Sequence, residues 1–207
     1  MWINIYWMKI RADIFGVLQP QRTPHEGDLL IVEPLLDEVY FKRSVILLIE
    51  HKESEGTIGL ILNKSADVIL NNVLTGIDCK HEIPLYLGGP VETDKLMYIH
   101  TLSNDIISDS LPLGNGLSVG GNFNDVMLYI NSKDYDERRI KFFAGYCGWH
   151  PGQLASEINE KTWVVTSLND VSSAITACGN AYWVQLVEHL GKHYRTWLNC
   201  PSEPFYN

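Results

Sequence analysis

Two apolar runs, Val45 to Ile49 and Ile58 to Leu62, flank a polar stretch that contains Glu50-His51 and Glu53-Ser54-Glu55-Gly56. β-branched and leucine-rich runs on either side of a glycine-containing loop predict an antiparallel hairpin. Because nearly every residue in both runs is apolar, the hairpin must lie centrally with both of its faces covered. The chain can supply that cover. Its 207 residues are 45% hydrophobic, and a chain of this size buries enough surface to need neither disulfides nor a structural metal.

Turn residues divide the remainder into short pieces. Leu29 to Val32, Leu85 to Leu87, Lys95 to Thr101, Ile140 to Tyr146 and Thr162 to Thr166 read as strands. Asp67 to Leu74 reads as a short helix capped by Ser65 or Asp67. Asn122 is placed to cap a clearer helix carrying Phe123, Val126, Met127 and Ile130 on one face. A helix from Pro151 to Asn159 would turn Leu154, Ala155 and Ile158 inward, and a last one from Ala181 would end at Gly191. The tail beyond Lys192 is expected to lie across the surface. Met8-Lys9 offers a natural start, so residues 1–7 read as an upstream extension and residues 8–207 as one domain. The apolar N-terminus is too short to span a bilayer and lacks the basic start and cleavage site of a signal peptide, which points to the cytoplasm.

Several functional classes are disfavoured. With 25 acidic against 16 basic residues the formal charge is −9, which opposes the phosphate contacts that dominate DNA affinity. The nearest approach to a basic face is Lys133, Arg138, Arg139 and Lys141, with Lys192, His193 and Arg195 further on. Cys79, Cys147, Cys178 and Cys200 are too widely spaced for a CxxC pair and read as free thiols, and no metal or cofactor set is evident. His189 and His193 are four apart, but Gly191 interrupts the helix that would align them. Gly116-Leu117-Ser118-Val119-Gly120 matches the nucleophile-elbow pattern without its context, because a turn precedes it and the helix starts only after Asn122. No catalytic residue is assigned.

Two segments remain. Arg43-Ser44 and Glu50-His51 place ionisable groups at the ends of a central strand. Gly145-Tyr146-Cys147-Gly148-Trp149-His150-Pro151-Gly152-Gln153-Leu154 crowds glycines and aromatics into a strand-to-helix turn. That turn could present a recognition surface, or it could plug the core with Trp149 and satisfy backbone groups with Gln153. These segments, together with Gly27 to Pro34, Gly59 to Lys64 and Gly88-Gly89-Pro90-Val91, occur in the order and spacing of the YqgE/AlgH family, also called UPF0301, which the chain resembles most strongly over residues 27–166. It departs from the family pattern at Asn122, where an aspartate is common, at Ser65, where a proline is common, and at Ser118, where an aromatic is frequent.

The resemblance implies an α/β (α+β) fold, a single compact domain with a largely antiparallel, partly curved sheet and a few flanking helices. It implies a bacterial family without an established biochemical activity. Some members carry a transcriptional-regulator label, yet neither a helix-turn-helix nor a basic recognition helix is visible here. The expected function is a non-enzymatic binding or regulatory module acting through a protein partner or a small ligand, without membrane or direct DNA contact. The candidate surface comprises Arg43, Glu50, His51, Asn63, Gly88, Gly89, Tyr146, Gly148, Trp149 and Gln153. The alternative is an enzyme or metabolite-binding protein using Glu50 or His51 for acid–base work. An apolar hairpin and an aromatic turn are also compatible with a homodimer.

Overall fold

The computed structural model describes residues 16–36 and 38–200; the expected start at Met8 and the extension before it lie outside them. The hairpin forms as expected from β2 (Val45–Lys52) and β3 (Gly56–Ile61), antiparallel and central. β1 (Asp28–Val32) and β10 (Trp163–Ser167) extend the sheet beyond β2. On the other side β3 pairs with β9 (Ile140–Trp149), and the order continues through β6 (Val91–His100), β8 (Leu117–Val119) and β7 (Leu111–Gly114). All of these pairings are antiparallel.

β9 is the strand that both halves of the sheet share. One edge pairs with β6 from Ile140 to Tyr146, with a register shift near the Gly145 bend. The other is divided: β5 (Pro84–Leu87) runs parallel to residues 142–144, and β3 then takes residues 147–149. Gly88 sits at the handover, donating its N–H to the Ala144 carbonyl at 2.9 Å and accepting from the Ile61 N–H at 2.9 Å. Such an approach excludes side chains. A Cβ on Gly88 would lie 2.1 Å from the Gly145 carbonyl oxygen, and one on Gly89 would lie 2.2 Å from the Tyr146 carbonyl carbon. Gly145 bends β9 at φ +69°, where a Cβ would meet the Gly89 and Val91 carbonyl oxygens at 2.7 Å.

Strand alternation lets β9 serve two cores. Phe143 and Cys147 enter the larger one, built on β1, β2, β3 and β10. Phe142 and Ile140 enter the smaller one, under α2 (Phe123–Ile130). Asn122 caps α2 as expected, its side chain accepting from the Asn124 N–H at 2.9 Å. The larger core is closed by α3 (Gln153–Asn159), α4 (Val171–Thr176) and α5 (Gly179–His189).

Four expectations need correction. Ser65 caps no helix: Ser65–Ile69 is β4, paired with β5, and only Leu70–Val73 (α1) is helical. Asp67, at φ +56°, has a left-handed backbone that a helix cannot accommodate. Ala155 is exposed, so α3 buries only Leu154 and Ile158. The segment after Lys192 does not skirt the surface: a 3₁₀ helix, Tyr194–Asn199, buries Trp197 against Trp183, their rings stacked at 6.2 Å and 10°.

His100 is fully buried on β6 between β8 and β9. Its Nε2 contacts the Gly120 carbonyl at 3.1 Å and its Nδ1 accepts the Leu102 N–H at 3.2 Å, which selects the neutral ring protonated on Nε2. Burial, the largest cause, holds its pKa below the usual histidine value. The unfolded chain therefore takes up this proton more readily, so the contribution is complete above about pH 6.5 and is lost as pH falls below it. His100→Gln should flatten the fall in urea midpoint between about pH 7 and about pH 5.5, and equal falls in both proteins would show that His100 is not the group responsible.

The bend in β9 yields a second expectation. Gly145→Ala should cost roughly 2–4 kcal/mol, left-handed strain plus overpacking. Gly114→Ala, at φ +94° with nothing within 4 Å of its Cβ, should cost only the strain, about 1 kcal/mol. Equal shifts in urea midpoint for the two variants would contradict the close approach.

Candidate functional site

The Gly145–Leu154 turn is held by a carboxylate outside the candidate surface, Glu157. Trp149, only 6% exposed, donates its indole N–H to Glu157 Oε2 at 2.9 Å, and Trp163 donates to the same oxygen at 2.8 Å. Gln153 donates to Glu157 Oε1 at 2.9 Å and accepts the His150 backbone N–H at 3.0 Å. The two indoles meet edge to face at 6.2 Å. Trp149 therefore belongs to the core side of the two readings left open for this turn, and Gln153 does satisfy backbone. Glu157 is one helical turn beyond Gln153, a spacing that could have flagged it.

Asn63, Arg43, Gly88 and Gly89 of the candidate surface also make structural contacts. Asn63 is buried, accepts the Val45 N–H at 3.0 Å, and donates to the carbonyls of Arg43 at 3.0 Å and Gly179 at 2.9 Å. It thereby ties the start of β2 to the start of α5. The Arg43 guanidinium lies 5.1 Å from the Trp183 ring centre and also donates to the Cys200 carbonyl. Gly88 and Gly89 are consumed by their contact with β9. Tyr146 is half-buried with the Lys95 ammonium 5.5 Å from its ring, and Gly148 is exposed on β9.

Glu50 and His51 part company. Glu50 pairs with Lys52 at 3.4 Å and does not line the neighbouring cleft, whereas His51 does. The two therefore do not share a pocket as an acid–base pair would.

That cleft, about 450 Å³, lies between residues 21–24, the tip of the β2–β3 hairpin and the start of α3. His51, Lys52, Thr57 and His150 meet there over an apolar floor of Leu154, Ala155 and Ile158. Its wall is anchored by Asp28, which pairs with Arg22 at 3.0 Å and accepts the His25 N–H at 2.9 Å, and by Gln21, which accepts the Val165 N–H at 2.9 Å. The cations are compensated: Arg22 by Asp28, and Lys52 by Glu55 at 2.8 Å, whose hydrogen bond is the largest cause raising the lysine pKa. The His51 ring engages Thr57 Oγ1 through Nδ1 at 2.7 Å, which directs Nε2 to other partners. Among the described residues no cluster of three or more His, Cys, Asp or Glu could hold a metal, and no helix is long and apolar enough to cross a membrane.

Residues 29–195 match the family model described as AlgH-like. The chain belongs to the AlgH-like family. It is 40% identical to a UPF0301 protein of Parabacteroides distasonis, with 94% of this chain and 98% of that one covered. To a UPF0301 protein of Bacteroides thetaiotaomicron it is 39% identical, covering 97% and 100%. Among solved structures, a crystal structure from Corynebacterium diphtheriae superposes with a TM-score of 0.72 at 26% identity, covering 90% of this chain and 97% of that one. The solution structure of AlgH from Pseudomonas aeruginosa gives 0.64 at 26% identity, covering 84% and 94%. The AlgH-like fold is thus shared with both.

The Glu157 hub yields a direct test. Glu157→Ala leaves two buried indole N–H groups without their acceptor and should cost roughly 2–4 kcal/mol. Glu157→Gln keeps an acceptor oxygen and should cost clearly less. Urea unfolding followed by tryptophan fluorescence separates them, and equivalent losses would deny the hub its role.

Proposed function

We propose that this AlgH-like protein is a non-enzymatic cytoplasmic binding module whose small ligand occupies the cleft beside His51 and His150. The observation that carries this reading is the convergence of two imidazoles and a threonine hydroxyl over an apolar floor in a cleft of about 450 Å³. Pockets of this size with few polar groups on an apolar lining are the usual form of small-molecule sites. Because Arg22 and Lys52 are already compensated, the ligand that fits is one with a hydrogen-bonding polar head and a modest apolar body rather than a highly charged anion. Overall charge and the lack of a basic recognition helix disfavour DNA as the partner. Separation of Glu50 from the cleft disfavours the acid–base enzyme.

A thermal-shift screen against metabolites, nucleotides and metals tests this. A ligand at a hundredfold excess over its Kd adds about 2.7 kcal/mol, which for a chain this size raises Tm by roughly 5–10 °C. His51→Ala and His150→Ala should each reduce the shift while leaving the unliganded Tm nearly unchanged. Silence across the panel would overturn the small-ligand reading in favour of a protein partner, and a shift indifferent to both variants would place the site elsewhere.

A further inference from the structure

Lys141 stands apart from the cleft just described. The charge pattern of the sequence groups it with surface cations, but it is only 3% exposed. It projects from β9 with its ammonium nitrogen 3.7 Å from the ring centre of Tyr86 and 6.0 Å from that of Phe143. Its one hydrogen-bond partner among the described residues is the Ala177 carbonyl, and none of the ion pairs there includes it. The side chain lines a separate cleft of about 170 Å³, walled by Ile83, Pro84, Phe142 and Ile175, with Tyr135 and Arg138 also lining it. Arg138 is committed to Asp136 through paired bonds of 2.9 and 2.8 Å, so it offers no obvious seat for a carboxylate. At roughly 30 Å³ per water the space equals about five or six waters.

We propose that Lys141 is an imine-forming amine that captures a short-chain aldehyde in this second cleft. A lysine is nucleophilic only when neutral, and burial without an ion-pair partner is the setting that favours the neutral amine. Burial is the dominant cause and brings the Lys141 pKa down to about 7, against a smaller opposing effect of Cys178. The other titratable groups around it are Tyr86, whose ring it overlies and whose pKa burial raises, Cys178, and Tyr135, Glu137 and Arg138 lining the cleft. In the reaction the Nζ lone pair attacks the carbonyl carbon and the amine proton passes to the carbonyl oxygen. Loss of water from the resulting carbinolamine leaves the C=N bond. No oxidant or reductant is required. The small volume, the Glu137 carboxylate in the lining and the prior pairing of Arg138 select a short, uncharged aldehyde over a 2-oxo acid.

The test is site-mapped trapping on the folded, full-length protein at about pH 7 with propanal, sodium cyanoborohydride reducing any imine to a stable propyl amine. Peptide mass spectrometry should find the adduct on Lys141 at least about tenfold faster than on the exposed Lys52, whose amine Glu55 holds in the charged form, or on the exposed Lys95. Pyruvate should label Lys141 much less. Lys141→Arg should abolish that adduct alone, its Tm reporting whether the variant folds, while competition among lysines in the unaltered protein decides the matter even if it does not. Labelling confined to the exposed lysines, or of Lys141 only after unfolding in urea, would overturn the proposal.

Discussion

The close approach of the Gly88–Gly89 backbone to the bend of β9 is the contact on which the architecture rests. β9 presents one edge to β5 and then to β3, and a strand can change neighbours this way only if the two incoming chains part at the changeover. Gly88 is there, bonded to Ala144 on β9 and Ile61 on β3. A backbone group left unpaired at so buried a position would cost about 1–3 kcal/mol. The absence of side chains on Gly88, Gly89 and Gly145 lets the donors and acceptors reach one another. Gly88 and Gly89, members of the candidate surface in sequence, are therefore the glycines with the least room for a Cβ among the described residues.

This junction also sets where functional groups can appear. By delivering residues 147–149 to β3, it brings Trp149 under α3, where Glu157 collects both indoles, and leaves His150 outside the sheet at the mouth of the larger cleft. At the hairpin tip, His51 enters the same cleft from β2, paired with Thr57 on β3. Two histidines distant in sequence are thus held by separate rigid supports, one by a strand pair and one by the Glu157 hub. Positions fixed in this way reduce the ordering cost of binding.

Features governed by local pattern were legible in the sequence. The β2–β3 hairpin, the Asn122 cap and the stop at Gly191 each follow from a few adjacent residues. Features governed by distant partners were not. Ser65 and Asp67 have the composition of a helix start, yet pairing with β5 draws them into a strand. Trp197 lies in a polar tail, and only its stacking on Trp183 gives it a core position. Glu157 looks like an ordinary exposed helix residue until two tryptophans, one before it and one after it in the chain, converge on it. Of the candidate surface, Asn63, Trp149 and the paired glycines are residues with demanding structural jobs, and a motif read from a single sequence cannot separate such demands from those of a ligand.

Lysine shows the same limit in a sharper form. Lys52 and Lys141 are chemically identical and both belong to strands rich in apolar residues, Lys52 closing β2 and Lys141 standing second in β9. Lys52 extends into solvent between Glu50 and Glu55, where the carboxylates raise its pKa and keep it a spectator cation. Lys141 points inward from β9 because the strand alternates, and its neighbours Ile140 and Phe142 claim the opposite face for the smaller core. Burying an ammonium without a carboxylate is expensive, and the protein offsets the cost only with a carbonyl and two aromatic faces. A leucine or methionine would fill that volume more cheaply. Retaining an amine there makes sense if the neutral form has a use, and a neutral amine beside a small cleft whose arginine is already paired is suited to a carbonyl group rather than to an anion.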